Sequence, residues 1–414
     1  MKRVQRRLTL WIAFGLVHAA VAVAGWVLPN QPMGDVYFVY EPWSTAALHG
    51  GDVVGITRSW VYPHLALAPM VLAHAFAGIG GYTVAWAILV TLCDALGFWL
   101  LLGDGRSLSR RAAARFWLAF ILLLGPVGMY RIDAITVPLA IAGLLWLVRR
   151  PVVAAALLTA GAWIKVWPAA LLGAALVALR RRGEILSGAL VTAAVVIGVV
   201  VLSGGAEHLL GFVTAQTGRG LQLEAPVSTV YLWGAALETE GWWLFYDDDI
   251  LTFQVTGPHV DAVIALMTPL LALAAAGIAV LGAVKAARGA SSARLLPPLA
   301  LALVATLIAL NKVGSPQFHD WLIPPLVLWL VLDRRRARPL VAVALVSAAL
   351  TQLVYPHLYG LLLGAEPLAV AALTARNLVL VVLMVWAVLR VARVPVRSAA
   401  RGASDVSRAA ATPV

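Results

Sequence analysis

Twelve apolar runs, separated by short turns rich in arginine, leave this chain few folds to adopt. They lie near 8–28, 82–102, 115–129, 133–148, 151–164, 167–179, 185–203, 260–284, 295–311, 321–332, 339–355 and 368–389. Charged residues make up only 12% of the chain, about half the usual share of a soluble domain. In hydrocarbon the backbone must bond to itself, and an apolar run does so as a helix. The pattern therefore predicts an all-α polytopic membrane protein of about 12 transmembrane helices.

The net charge of +12 could suggest a nucleic-acid binder. Its distribution argues against one. All of the 31 lysines and arginines except Arg58, Arg131, Lys165, Arg219, Lys312 and Arg376 cluster in seven places near the ends of apolar runs. With the N-terminus inside, all seven clusters fall on the cytoplasmic side, as the positive-inside rule requires. The acidic residues, which contribute little to orientation, test this independently. Of 19, all but Asp94, Asp104, Glu184, Asp333 and Asp405 fall on the outer side. The first run lacks a small-residue cleavage site and reads as an uncleaved span. The lone cysteine, Cys93, excludes an internal disulfide.

Two segments decide the topology. Tyr62–Gly78 is apolar enough to span, but counting it would move four arginines outside, so it reads as a helix on the outer surface. The stretch 151–179 reads as two short helices meeting outside at Lys165, which keeps Arg149–Arg150 and Arg180–Arg182 on the same side. The membrane domain then covers 1–393, with a first outer loop at 29–81 and a second at 204–259, both carrying short surface helices. A disordered cytoplasmic tail is expected at 394–414. No internal repeat is evident, which weakens a transporter of inverted halves.

The first outer loop sets Asp35, Glu41, Asp52 and Arg58 among aromatics, including Trp43, Trp60 and Tyr62. A carboxylate beside a membrane is solvated, paired or used. Asp35 reads either as a general base for a hydroxyl or as a helix N-cap. Glu41 reads as a paired partner and Asp52 as a turn residue. Arg58, Arg131, Lys165, Arg219 and Lys312 all fall at outer loops or helix ends, against the positive-inside trend. A shared anionic ligand would account for several at once, as would separate pairing with outer carboxylates. For Arg376, a structural partner or snorkelling is the simpler reading. His319-Asp320, in a dense polar turn, could bind a phosphate or sugar. Asp247-Asp248-Asp249 reads as a solvated acidic face rather than a cation site.

These motifs, in order, resemble the GT-C superfamily of membrane glycosyltransferases, and most closely glycosyltransferase family 87. The resemblance spans roughly Gly34–Pro325. It rests on Asp35 with Trp60-Val-Tyr62-Pro63, Arg131-Ile-Asp133, Lys165-Val-Trp-Pro168, Gly218-Arg219-Gly220-Leu-Gln222-Leu-Glu224, and Asn311-Lys312-Val-Gly-Ser315-Pro316-Gln317. The chain departs from the family at His64, where a second proline is common, and at Ala225, where serine is common.

The resemblance implies a GT-C fold and an inverting transfer of a sugar, mannose first among candidates. The donor would be a polyprenyl-phosphate-linked sugar, and the acceptor a glycolipid or glycan on the extracytoplasmic face of the plasma membrane. Asp35 would be the base. Lys165, Arg131, Arg219, Lys312 and His319 would hold the donor phosphate as its charge grows. Glu41, Arg58, Trp43, Trp60, Tyr62, Asp133, Glu224 and Gln317 would contact substrate. No cofactor or metal is expected, because the donor carries one phosphate. An arabinofuranosyl- or glucosyltransferase of the same fold, and a flippase of lipid-linked sugars, are the alternatives. No nucleic acid is expected.

Overall fold

Each of the twelve apolar runs folds as a helix in the computed structural model, which describes residues 2–248, 250 and 252–396. Asp249, and the expected tail beyond residue 396, lie outside the described residues. Among the described residues, eight helices are long and apolar enough to cross a membrane: Arg7–Val27, Tyr82–Leu102, Leu108–Gly128, Arg182–Leu202, Val260–Ala287, Ser292–Ala309, Arg334–His357 and Pro367–Ala392. The other four runs form Asp133–Trp146, Pro151–Ile164, Pro168–Ala178 and Ile323–Leu332, of 14, 14, 11 and 10 residues. A 14-residue helix is about 21 Å long, short of a hydrocarbon core of about 30 Å. Among the described residues, eight of the twelve helices therefore reach spanning length. Leu190, Val191, Val195 and Val199 face outward on Arg182–Leu202, an apolar surface suited to lipid.

The centre of the bundle is built from Ser292–Ala309 and Ile323–Leu332, buried along almost their whole length, with Leu108–Leu124 and Asp133–Trp146 against them. The basic clusters close helix ends. Arg110 donates to the carbonyls of Leu100 and Leu101, both at 3.1 Å, Arg181 to that of Val148 at 3.2 Å, and Lys285 to that of Val394 at 3.2 Å. Leu100 and Leu101 lie in the last turn of Tyr82–Leu102, whose carbonyls lack internal partners, while Val148 and Val394 lie just past helix ends.

Pro151–Ile164 ends where Lys165 turns extended (φ −150°, ψ 130°), and Pro168 opens the next helix, giving the expected hairpin. Tyr62–Gly78 breaks into a seven-residue helix, Leu67–Ala73, between two 3-10 turns. It packs against Tyr82–Leu102 and Glu41–Leu48.

The second loop is not all helical. Trp243–Asp247 and Thr252–Thr256 pair antiparallel, with Leu244 opposite Val255. Aromatic and β-branched residues fill both strands, and such residues favour a pleated surface. Residues 221–223 lie along the hairpin: Leu223 N–H donates to Phe253 O at 3.1 Å and Val255 N–H to Leu221 O at 3.0 Å. The expectation of an all-α chain is corrected to this extent. The two loops meet, with Ser59 and His208 hydrogen-bonded at 3.3 Å.

Candidate functional site

Asp35 stands just before a π-helical turn, Val36–Tyr40, and its side chain makes no capping bond. The N-cap reading therefore does not hold. Single π turns recur near functional sites because they re-aim side chains. Asp35 Oδ1 lies 3.0 Å from Arg131 Nη1, and the Asp35 side chain is 33% exposed. Its Oδ2 forms no hydrogen bond among the described residues.

Arg131 and Asp133 do not pair with each other. Each reaches a different element. Arg131 is buried and also donates to the Tyr355 hydroxyl at 3.3 Å, which in turn donates to Asn30 O at 3.2 Å. Burial opposes the Arg131 charge, but Asp35 together with Tyr355, Tyr40 and Tyr62 outweighs it, and the pKa lies above the usual value. Asp133 opens its helix, where a carboxylate suits the positive end of the dipole. Its Oδ1 accepts from Trp321 Nε1 at 2.6 Å, and its Oδ2 lies 3.6 Å from Lys165 Nζ. Trp321 stacks on Trp167 with ring centroids 5.9 Å apart. Lys165 caps the negative end of Pro151–Ile164 and lies 4.5 Å above the Tyr62 ring. Burial disfavours the ammonium, yet Asp133, Tyr62 and Asp35 together outweigh it, so the Lys165 pKa is raised.

An aromatic wall backs these charges. Trp43, Trp60 and Tyr62 contact one another edge to face, with centroids 5.5 to 6.0 Å apart. Tyr40, fully buried beside Tyr62, accepts the Ile132 N–H at 3.0 Å and so fixes the turn that carries Arg131. Burial pushes the pKa of both tyrosines up, which keeps them neutral.

Arg219 is the third cation, close enough to oppose part of the rise at Lys165. Among the described residues no carboxylate lies within ion-pair distance of it. Asp247 acts on it only from further away, and burial pushes its pKa down. Three cations and two directly paired carboxylates thus gather around Tyr62.

Other expected site residues lie elsewhere. His319 is 1% exposed, its Nδ1 lies 3.2 Å from Pro316 O and its Nε2 lies 3.0 Å from Ser347 Oγ. Burial pushes its pKa down to about 3, so it is neutral and committed, and it is not a phosphate-binding cation here. Glu224 is paired with Arg376 in the interior and is not presented to a substrate. Asp133 and Gln317 are also buried, so Asp133 acts through Lys165. Lys312 is buried in the turn whose backbone accepts the Gln222 N–H at 3.0 Å. Glu41 starts the helix Glu41–Leu48, beside His74 rather than Asp35. Arg58 is exposed on the turn it closes with Gly55, and Asp52 accepts from Thr57 at 3.3 Å. Tyr40, Trp321 and Tyr355 were not singled out as site residues from the sequence. Only Tyr40 carried a signal, as part of the aromatic run after Asp35.

An apolar groove of about 260 Å³ runs between Val54–Leu67 and the helix Arg182–Leu202, lined by Ile56, His64, Leu65, Val195 and Val199 among others. His64 is two residues from Tyr62, so the groove adjoins the aromatic wall. A larger apolar groove of about 390 Å³, between the helices Val260–Ala287, Ser292–Ala309 and Pro367–Ala392, holds no member of the charged cluster.

Fold and site together define a membrane-embedded helical protein with a charged cluster that Asp35 partly exposes. No family model, curated protein or solved structure matches the chain.

Proposed function

We propose that the protein is a GT-C-type, twelve-helix glycosyltransferase of the plasma membrane, with both termini cytoplasmic. It moves a sugar, mannose first among candidates, from a polyprenyl-phosphate donor to a lipid or glycan acceptor on the extracytoplasmic face. The four short helices complete the bundle where loops and neighbours cover their ends.

The observation that carries this reading is the charge arrangement around Asp35. A partly exposed carboxylate with one unbonded oxygen lies 3.0 Å from Arg131 and within electrostatic reach of Lys165, which Arg219 also approaches. Counting the two directly paired carboxylates, the cluster carries one excess positive charge. A sugar phosphodiester brings one negative charge, which matches. As the acceptor oxygen attacks the anomeric carbon, its proton passes to Asp35. The electron pair of the breaking C–O bond stays on the phosphate, which gains a second negative charge. The proton on Asp35 offsets it, so the cleft stays balanced through the step. A diphosphate donor would exceed that balance. The aromatic wall offers faces for a sugar, and the groove by His64 suits an apolar chain.

The mid-bundle ionisable pair does not favour a flippase. His18 and Asp94 lie 3.1 Å apart and are each at most 3% exposed. They seal against each other rather than line either groove.

The test is a reconstituted transfer assay with labelled mannosyl-phosphoryl-polyprenol and an extract of envelope lipids and glycans. Asp35→Asn should lower transfer by about 10²–10⁴-fold, the usual worth of a general base, while donor binding survives. Full activity in that variant removes Asp35 from the role. Other sugar phospholipids in the same assay identify the sugar.

A further inference from the structure

We propose that Arg131 is a positioning residue that exchanges partners: the donor phosphate takes the place of Asp35 on its guanidinium and thereby releases Asp35 to act as base. The inference rests on the reading of the cleft as a phosphate site.

Of the two carboxylates in the cleft, only one can give way. Asp133 is fully buried and held by Trp321 at 2.6 Å. Asp35 is 33% exposed, makes no capping bond, and is tied to the protein by one oxygen. Arg131, by contrast, is fixed from behind by the Tyr355 hydroxyl, itself pinned to the Asn30 carbonyl. An arriving anion therefore meets a stationary guanidinium and a carboxylate able to move. While Arg131 holds an Asp35 oxygen at 3.0 Å, that oxygen is not free to receive an acceptor proton. Moving Arg131 onto phosphate frees both Asp35 oxygens only when a donor is present.

The step then balances. Asp35 takes the acceptor proton as the new glycosidic bond forms. The phosphate leaves with the bonding pair, and Arg131 and Lys165 meet its second charge. After the prenyl phosphate departs, Asp35 loses the proton to water and pairs with Arg131 again. Without a donor the base stays restrained, which ties proton removal to an occupied phosphate site.

The test needs no turnover. The purified protein is treated with a water-soluble carbodiimide at fixed pH, which modifies protonated carboxyls, and labelling of Asp35 is read by peptide mass spectrometry. Prenyl phosphate and the matching prenyl alcohol are compared in the same detergent, with binding of each measured separately by native mass spectrometry. A carboxylate freed from its guanidinium presents both oxygens to the reagent, so prenyl phosphate should raise Asp35 labelling several-fold, and the alcohol should not. Arg131→Gln should already be labelled at the higher level without ligand. If prenyl phosphate binds and labelling stays flat or falls, Asp35 is covered rather than released. The exchange is then wrong, while the site reading stands. If prenyl phosphate does not bind, both are wrong. The wild-type arm decides the matter even if Arg131→Gln fails to fold.

Discussion

Arg376 grips Glu224 twice: Nη1 lies 3.1 Å from the carboxylate and Nη2 donates to the Glu224 backbone carbonyl at 2.7 Å. The two side chains are 2% and 5% exposed. One guanidinium on the helix Pro367–Ala392 therefore fixes both the side chain and the backbone of the turn after Arg219. Asn377, one residue on, donates to Thr229 Oγ1 at 2.9 Å and extends the latch along the same loop. Leu221, Leu223 and Leu232 pack with Val370 and Leu373 as a small separate core beneath it. The last helix thus sets where the second loop sits over the cleft.

Breaking this latch should be costly. Arg376→Met or Glu224→Gln alone leaves a buried charge without its partner, at about 3–5 kcal/mol. The pair of substitutions together should recover much of that loss. Unfolding of the detergent-solubilised protein, followed by tryptophan fluorescence, checks both outcomes. A fully additive loss in the double variant would show that the two side chains act independently.

Gly314 allows a close approach. A Cβ built there would collide with Ala225 N and the Glu224 carbonyl carbon, both backbone atoms that cannot swing aside. Gly314→Ala should push the 311–317 turn away from 222–225 and strain the Gln222 to Lys312 backbone bond. We expect a loss of about 1–3 kcal/mol, the usual cost of overpacking, and faster amide exchange at Gln222. Unchanged exchange there would mean that the two turns are not held by this contact.

The helices were legible in the sequence because membrane spans announce themselves by length and apolarity. The hairpin at Lys165 was legible too, from charge placement alone. The strand pair was not read, although Trp243–Tyr246 and Thr252–Val255 are the most strand-like runs in the second loop. The cross-pairing of the cleft lay beyond sequence reasoning. Arg131 and Asp133 are two apart at a helix start, and residues so spaced do not share a face. Neighbours in the chain therefore serve different partners, Asp35 and Lys165, and only the packed bundle shows which. His319 looked available because its turn is polar. Burial of that turn against Ser347 turned it into a structural residue.

The depressed pKa of His319 makes a pH prediction. Its folded value, about 3, lies below the unfolded value of 6.5. Between those limits the unfolded chain binds a proton that the folded chain refuses, so stability rises with pH across the window. Equivalently, stability should fall as pH drops below about 6.5, at up to about 1.4 kcal/mol per pH unit. His319→Gln should flatten this dependence while lowering stability at pH 7 through its altered bonds. Denaturation midpoints from pH 4 to 7.5 for both proteins check it, and an identical slope would remove His319 as the cause.

Lys165 gives the sharpest separation of structure from chemistry. Its ammonium neutralises buried Asp133 at 3.6 Å and also faces the cleft over Tyr62. Lys165→Gln alone should lose stability, because Asp133 is left charged and buried, and should lose donor affinity as well. Lys165→Gln combined with Asp133→Asn removes the unpaired charge, and the neutral amides can keep the Trp321 contact. Stability should then return toward wild type. Donor affinity should not return, since a charge-assisted bond to phosphate is worth about 1.5–3 kcal/mol, or about 10- to 150-fold in Kd. Unfolding midpoints and prenyl-phosphate binding, measured on the same two preparations, make the comparison. If the double variant regains affinity along with stability, Lys165 serves the fold alone, and the phosphate must rest on Arg131 and Arg219.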